Sequence, residues 1–209
     1  MRVFASLSLL AALSILPTAA SATTIFTDGF NAAGNPGLTV TTTAGNFNVV
    51  SPTNVDLLGP GKFVNYGYLC SAAVSQCVDM NGTGGTSSGI IQSNILFAPG
   101  TYLLSFDLTG SRRGPTTTTN VSFGSYNHTF TLTTSDTVTG DVVNQVVTLA
   151  SSGYLTFTDL NGNTNQGSVL NTVNVSTAAP TPEPSSLILM GSGMLTTGLG
   201  IMRRKKTAA

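Results

Sequence analysis

Residues able to do chemistry are few in this chain. It holds one histidine, His128 in "YNHTF", two cysteines, Cys70 and Cys77 in "CSAAVSQC", and eight carboxylates, seven of them aspartates. Acyl transfer by a serine triad needs a histidine poised between a nucleophile and an orienting acid. His128, at a strand start, is read instead as a turn or strand-edge residue. Glycoside hydrolysis needs two carboxyl groups facing each other across a cleft. The aspartates stand in sequences such as "TDGF" and "DLNGN", where Asp supports a turn by bonding its own backbone. No catalytic residue, metal ligand or cofactor is assigned, and a secreted hydrolase stays as the second alternative.

The ends of the chain say where these residues work. Arg2 is followed by an apolar run from Val3 to Leu16, by Pro17, and by "TAASA". That order predicts a secretory signal peptide over 1–22, with Ala20 and Ala22 at the small-residue positions of the cleavage site. In an exported chain, two cysteines with six residues between them predict a disulfide. A metal site would need further ligands, and none stands nearby.

Between Thr23 and Thr181 the only cations are Lys62, Arg112 and Arg113, against Asp28, Asp56, Asp79, Asp107, Asp136, Asp141 and Asp159. An acidic domain without a basic stripe is not built to bind nucleic acid. Arg112 and Arg113, in "TGSRRGP", are read as capping a solvated turn, with contact to an acidic exopolysaccharide as the sharper reading. Asp28, Asp56 and Asp79 are turn formers or, alternatively, calcium ligands. Tyr66, Tyr68, Tyr126 and Tyr154 are core or edge residues or, alternatively, platforms for sugars.

The element pattern that must position these groups is β throughout. Thr, Ser, Asn, Gly and β-branched residues dominate, which disfavours helices and suits strands joined by turns. Period-two alternation predicts strands at "TYLLSFDL", "NVSFGSY" (Asn120 to Tyr126), "HTFTLTT" (His128 to Thr134), "DVVNQVVTL", "YLTFTDL" and "VLNTVNV". In the first of these, Tyr102, Leu104, Phe106 and Leu108 share one face. "TIFTDGF", "FNVVS", "VDLLG" and "GIIQSNILF" predict shorter strands in the first half. The expected fold is an all-β, antiparallel, jelly-roll-like sandwich over 23–177, flanked by the signal peptide and a C-terminal transmembrane helix.

After the last strand, "AAPTPEP" breaks the pattern and predicts a stiff Pro-rich linker over 178–184. The eighteen residues 185–202 carry no charge and would span ~27 Å as a helix, close to the hydrocarbon thickness of a bilayer. Arg203, Arg204, Lys205 and Lys206 follow, in a tail over 203–209. A cationic cluster after a span resists translocation and holds the C-terminus in the cytoplasm.

In this order of motif, span and basic cluster, Pro182 to Lys206 resembles the PEP-CTERM sorting signal of Gram-negative bacteria. The resemblance implies that an exosortase recognises Pro182, Glu183 and Pro184 and cuts near them. The inner membrane would then hold only the precursor, and the product would pass to the cell envelope or extracellular matrix. Cys77 to Gly114 also resembles the middle of exported jelly-roll modules similar to galactose-binding-like domains, through "VDMNG" and "APGTYLLSFDL". In the closing strand "SVLNTVNV", such modules commonly place Asp followed by Asn or Asp. This chain has Asn171 and Thr172, which removes a carboxylate. The expectation is a non-catalytic envelope or matrix protein. A carbohydrate-binding module for exopolysaccharide, calcium-assisted or not, is the alternative.

Overall fold

The computed structural model describes residues 21–31, 37–59, 70, 76–84, 88–111, 113–114, 116–133, 141–162 and 165–178. The signal segment through Ala20, the Pro-Glu-Pro motif, the apolar span, the basic cluster, Tyr66, Tyr68 and Arg112 lie outside them. Among the described residues no helix is long and apolar enough to cross a membrane. The compact β unit runs Ala22–Ala178.

Among the described residues thirteen strands build it: β1 Thr24–Asp28, β2 Gly37–Val40, β3 Thr43–Ala44, β4 Phe47–Val49, β5 Val55–Leu58, β6 Cys77–Asp79, β7 Ile90–Ser93, β8 Gly100–Thr109, β9 Thr117–Phe123, β10 Tyr126–Leu132, β11 Asp141–Leu149, β12 Thr156–Asp159 and β13 Val169–Thr177. They form two antiparallel sheets. Sheet A runs β11-β8-β13-β6-β5-β2, with β1 also on β13, and sheet B runs β10-β9-β12-β7-β4-β3. From β7 to β13 the chain crosses repeatedly between the sheets, and strands such as β8 and β9 bury alternate residues while β5 and β6 are buried throughout.

The period-two expectation holds in β8, where Tyr102, Leu104, Phe106 and Leu108 are buried between the layers. "DVVNQVVTL" is β11. "NVSFGSY" is not one strand, because Gly124, with φ of 56°, turns the chain from β9 into β10. The residues of this segment alternate correctly on both sides of the turn, so periodicity alone hides it. Strands β2, β3 and β6 carry too few residues for alternation to reveal them.

Aromatic rings join the layers. Phe157 of sheet B lies edge-on to Phe106 of sheet A at 5.3 Å and to Phe47 at 5.9 Å, an arrangement that aromatic quadrupoles favour. A second, smaller cluster gathers Leu58, Cys70, Cys77 and Val169, with Leu38 packed against it. Here the expected disulfide closes, Cys70 to Cys77. Changing both cysteines to serine is expected to lower unfolding stability by about 2–3 kcal/mol, the chain-entropy value for so short a loop. Chemical denaturation of the two proteins side by side measures it, and an unchanged midpoint would refute it.

Candidate functional site

Two groups of polar residues stand out, one buried and one exposed. The buried group starts from Asp56 and Asp79, which sit opposite each other in the β5–β6 ladder. Like charges placed so repel, and the surrounding backbone compensates. Asp56 accepts the N–H groups of Thr39 at 2.8 Å and Thr83 at 3.0 Å, and the Thr83 hydroxyl at 2.7 Å. Thr39 reaches it by taking a positive φ of 59°, which interrupts the β2–β5 register. Asp79 accepts the N–H groups of Asn81 and Gly167, each at 3.0 Å, and pairs with the Arg113 guanidinium. A side chain at 167 would collide with that carboxylate, so glycine is required there.

Asn81 extends the network, donating to Asp159 at 2.8 Å and accepting from the Asn165 N–H at 2.9 Å. Burial pushes the Asp79 carboxyl up to about 7 against the pull of the Asn81 amide and of Arg113. Asp159 is raised by burial too, opposed by its bonds to Asn81 and Asn161. These carboxylates therefore tie β2, the β6–β7 loop, the β8–β9 loop and the β12–β13 loop into one clamp. A cavity of about 90 Å³ beside it is lined by Leu38, Asp56, Leu58, Thr83, Arg113 and Asn165, well short of the ~300 Å³ at which small-molecule sites begin.

This clamp corrects several expectations. Arg113 is only 19 % exposed and committed to Asp79, so it does not offer its charge to an acidic polymer. Asp56 and Asp79 do face each other, but at 1 % and 0 % exposure they border no cleft that a glycosidic bond could enter. Asp28 belongs to a different turn, accepting the N–H groups of Phe30 and Asn46. Among the described residues no cluster of three or more His, Cys, Asp or Glu could hold a metal ion.

His128 is exposed on β10, 4.6 Å edge-to-face from Phe130 and stacked toward Tyr126. Gly85 to Gly89 spells Gly-x-Ser-x-Gly. Such an elbow joins a strand to a helix; its central Ser87 lies outside the described residues, and the described Ser88 and Gly89 run into strand β7. Asn171 sits at the register break of β13 and bonds the Thr109 hydroxyl at 3.3 Å. At the position of interest in the closing strand it is a buried packing group.

The exposed group is the outer face of sheet B. Strand pairing aligns Thr43, Asn48, Gln92, Thr156, Ser122 and Asn127 into one row across six strands. A second row holds Ile90, Thr158, Asn120 and Thr129. Asn48, Ile90, Gln92, Asn120, Ser122, Thr156 and Thr158 alternate with buried residues, and Thr43, Asn127 and Thr129 are exposed. Asn120 donates to Asn127 at 2.8 Å and to Thr129 at 3.1 Å, and Gln92 donates to Thr156 at 3.4 Å. Tyr154, 42 % exposed, continues the β12 alternation beyond Thr156. Two residues past Asn48 and Gln92, Asn46 and Asn94 line an open cleft at the β1 edge. Among the described residues the face therefore offers amide and hydroxyl donors and acceptors, one aromatic ring in Tyr154 and no charge.

The fold and this face define an antiparallel β-sandwich with a polar, uncharged sheet surface. The chain is similar in fold to the K1 cleaved adhesin domain of Lys-gingipain from Porphyromonas gingivalis W83, at 13 % identity and a TM-score of 0.50, covering 75 % of this chain and 99 % of that domain. It is more loosely similar to a family 35 carbohydrate-binding module from Clostridium thermocellum (13 % identity, 69 % of this chain, 99 % of the module, TM-score 0.38). The C-terminal CBM6 of LamC, a marine laminarinase of Zobellia galactanivorans, is similar at 12 % identity, 59 % and 100 % coverage and a TM-score of 0.34. At such identities the likeness is one of fold alone. No curated protein matches the chain in sequence. Residues 180–206 match the PEP-CTERM protein-sorting motif. The chain carries that sorting signal and is an exported protein.

Proposed function

We propose that the mature protein is a non-catalytic component of the cell envelope or extracellular matrix, and that its sandwich domain holds it there by binding polysaccharide on the outer face of sheet B. One observation carries this: a row of six uncharged hydrogen-bonding side chains, contributed by six strands. A polysaccharide presents hydroxyls at regular intervals along its length, and such a row can meet them in succession. Side chains on a sheet are also held more rigidly than those on loops, which lowers the ordering cost of binding.

The tail acts before the domain does. Residues 1–22 direct export and are removed after Ala22. An exosortase then cuts near Pro182, Glu183 and Pro184, while 185–202 holds the precursor in the inner membrane and Arg203, Arg204, Lys205 and Lys206 stop its passage. On this proposal residues 23–177 are the working domain and 178–184 the linker, in a Gram-negative envelope.

Placing lysine at Thr156, in the middle of the row, buries a charge against any bound neutral chain. Thr156→Lys is expected to weaken polysaccharide binding at least about tenfold, the loss from disrupting one or two hydrogen bonds and adding a desolvation cost. The melting temperature should stay within a few degrees of wild type. Affinity electrophoresis of the mature protein in gels cast with soluble polysaccharides reads it. Absence of retardation by any member of a broad panel would overturn the binding role.

A further inference from the structure

We infer that the cleft at the β1 edge is the subsite that grips one sugar unit of an uncharged polysaccharide, so that the protein selects neutral over acidic polymers. This rests on the saccharide-binding role proposed above and supplies the position and ligand class which that role leaves open. The cleft encloses about 390 Å³ and is lined by Thr24, Ile25, Phe26, Thr27, Asn46, Asn94 and Ile95. That volume lies within the ~300–1,000 Å³ of small-molecule sites. None of the seven residues is charged.

The lining has two chemistries on facing elements. Ile25 on β1 and Ile95 after β7 stand 40 % and 38 % exposed and present apolar surface to the cleft. Asn46 and Asn94 supply amides beside them. Their strands are locked together, since the Asn94 N–H donates to the Asn46 carbonyl at 2.9 Å. The Asn46 side chain is oriented by donating Nδ2 to the Thr27 carbonyl at 2.9 Å. A pyranose has the complementary anatomy, with an apolar C–H face and a rim of hydroxyls. Ile25 and Ile95 suit the first, and the amides and the Thr24 and Thr27 hydroxyls suit the second.

The turn that presents Asn46 is set by Asp28. Its carboxylate accepts the Asn46 and Phe30 N–H groups, and Gly45, at a φ of 62°, lies so close that a Cβ there would overlap the carboxylate. Asp28 is thus a positioning residue, and it places a carboxylate under the turn with no cation lining the cleft to offset it. With no cation among the lining residues, a uronate or sulfate ester would find no partner for its charge in the cleft. Continuity with Asn48 and Gln92, two residues along the same strands, lets a chain seated in the cleft run onto the row of sheet B.

The test uses the mature protein, isothermal titration calorimetry, and soluble β-glucan, galactomannan, xylan and galactan as neutral probes, with polygalacturonate as the acidic one. At least one neutral polymer is expected to bind, with affinity changing less than about twofold between 0.05 and 0.5 M NaCl because no ion pair is formed. Asn94→Ala with Ile95→Asp, both at exposed positions, is expected to weaken that binding at least about tenfold. The melting temperature of each variant verifies folding. If this variant binds as wild type while Thr156→Lys does not, the cleft inference falls and the sheet-face role survives. If no polymer binds wild type, both fall. Tighter, salt-sensitive binding of polygalacturonate would overturn the neutral selectivity.

Discussion

Replacing Asp79 with alanine is expected to cost the domain about 3–5 kcal/mol, the range for breaking a buried pair from one side. The change removes the acceptor for two buried N–H groups, those of Asn81 and Gly167, and the carboxylate that pairs with Arg113. Arg113 keeps some solvent, which places the loss toward the lower end of the range. For a domain whose whole stability is on the order of 5–15 kcal/mol, this is a large fraction. Asp79→Asn should lose less, because it retains an acceptor oxygen and relieves repulsion with Asp56.

The same residue sets a pH dependence. Asp79 rises from 3.8 to about 7 through burial, with the Asn81 amide, Arg113 and the Gly167 amide opposing and the charge of Asp56 adding to the rise. Between these values the folded chain binds the proton more tightly than the unfolded chain, so stability falls as pH rises. The contribution is full below about pH 4 and lost as pH passes through about 7. Asp28 and Asp159 move in the same direction, both through burial. Thermal melts should therefore show a lower melting temperature at pH 8 than at pH 5, and Asp79→Asn should flatten the difference. A melting temperature that climbs from pH 5 to pH 8 would contradict this assignment.

Changing Pro182, Glu183 and Pro184 together to alanine is expected to abolish tail processing, so that intact precursor accumulates in the membrane fraction. Proline disfavours helix at and just before its own position, so Pro182 and Pro184 suit a cut site kept out of helix. A membrane-embedded protease would therefore meet an accessible strand rather than a helix. Alanines favour helix and erase the side chains to be read. Intact mass of the protein from each cell fraction distinguishes the outcomes. Wild-type protein that keeps its apolar tail in every fraction would refute the processing step, and unchanged localisation of the triple variant would refute the motif's role.

Much of the fold was legible because alternation is a local property. The buried face of β8, the extent of β11 and the disulfide each follow from residues close in sequence. The tight turn at Gly124 was missed because "FGS" keeps the polar–apolar rhythm. Short strands such as Cys77–Asp79 were missed because three residues carry no measurable period. In the candidate site, "TDGF" announced a turn-forming Asp28. Nothing near "TGSRRGP" announced that Arg113 would meet Asp79, thirty-four residues earlier.

By itself, then, the sequence determined that this is an exported β protein with a sorting signal, a disulfide and longer strands that bury alternate residues. Those features depend on composition and on neighbours within a few positions. Only the tertiary structure decided which carboxylates meet, as when Gly167 approaches Asp79 across eighty-eight residues, and which polar side chains line up as Thr43, Asn48, Gln92, Thr156, Ser122 and Asn127. Period two assigns a residue to a face of its own strand, but the row it joins depends on strand order and register. Those are set by burial of the whole apolar set at once.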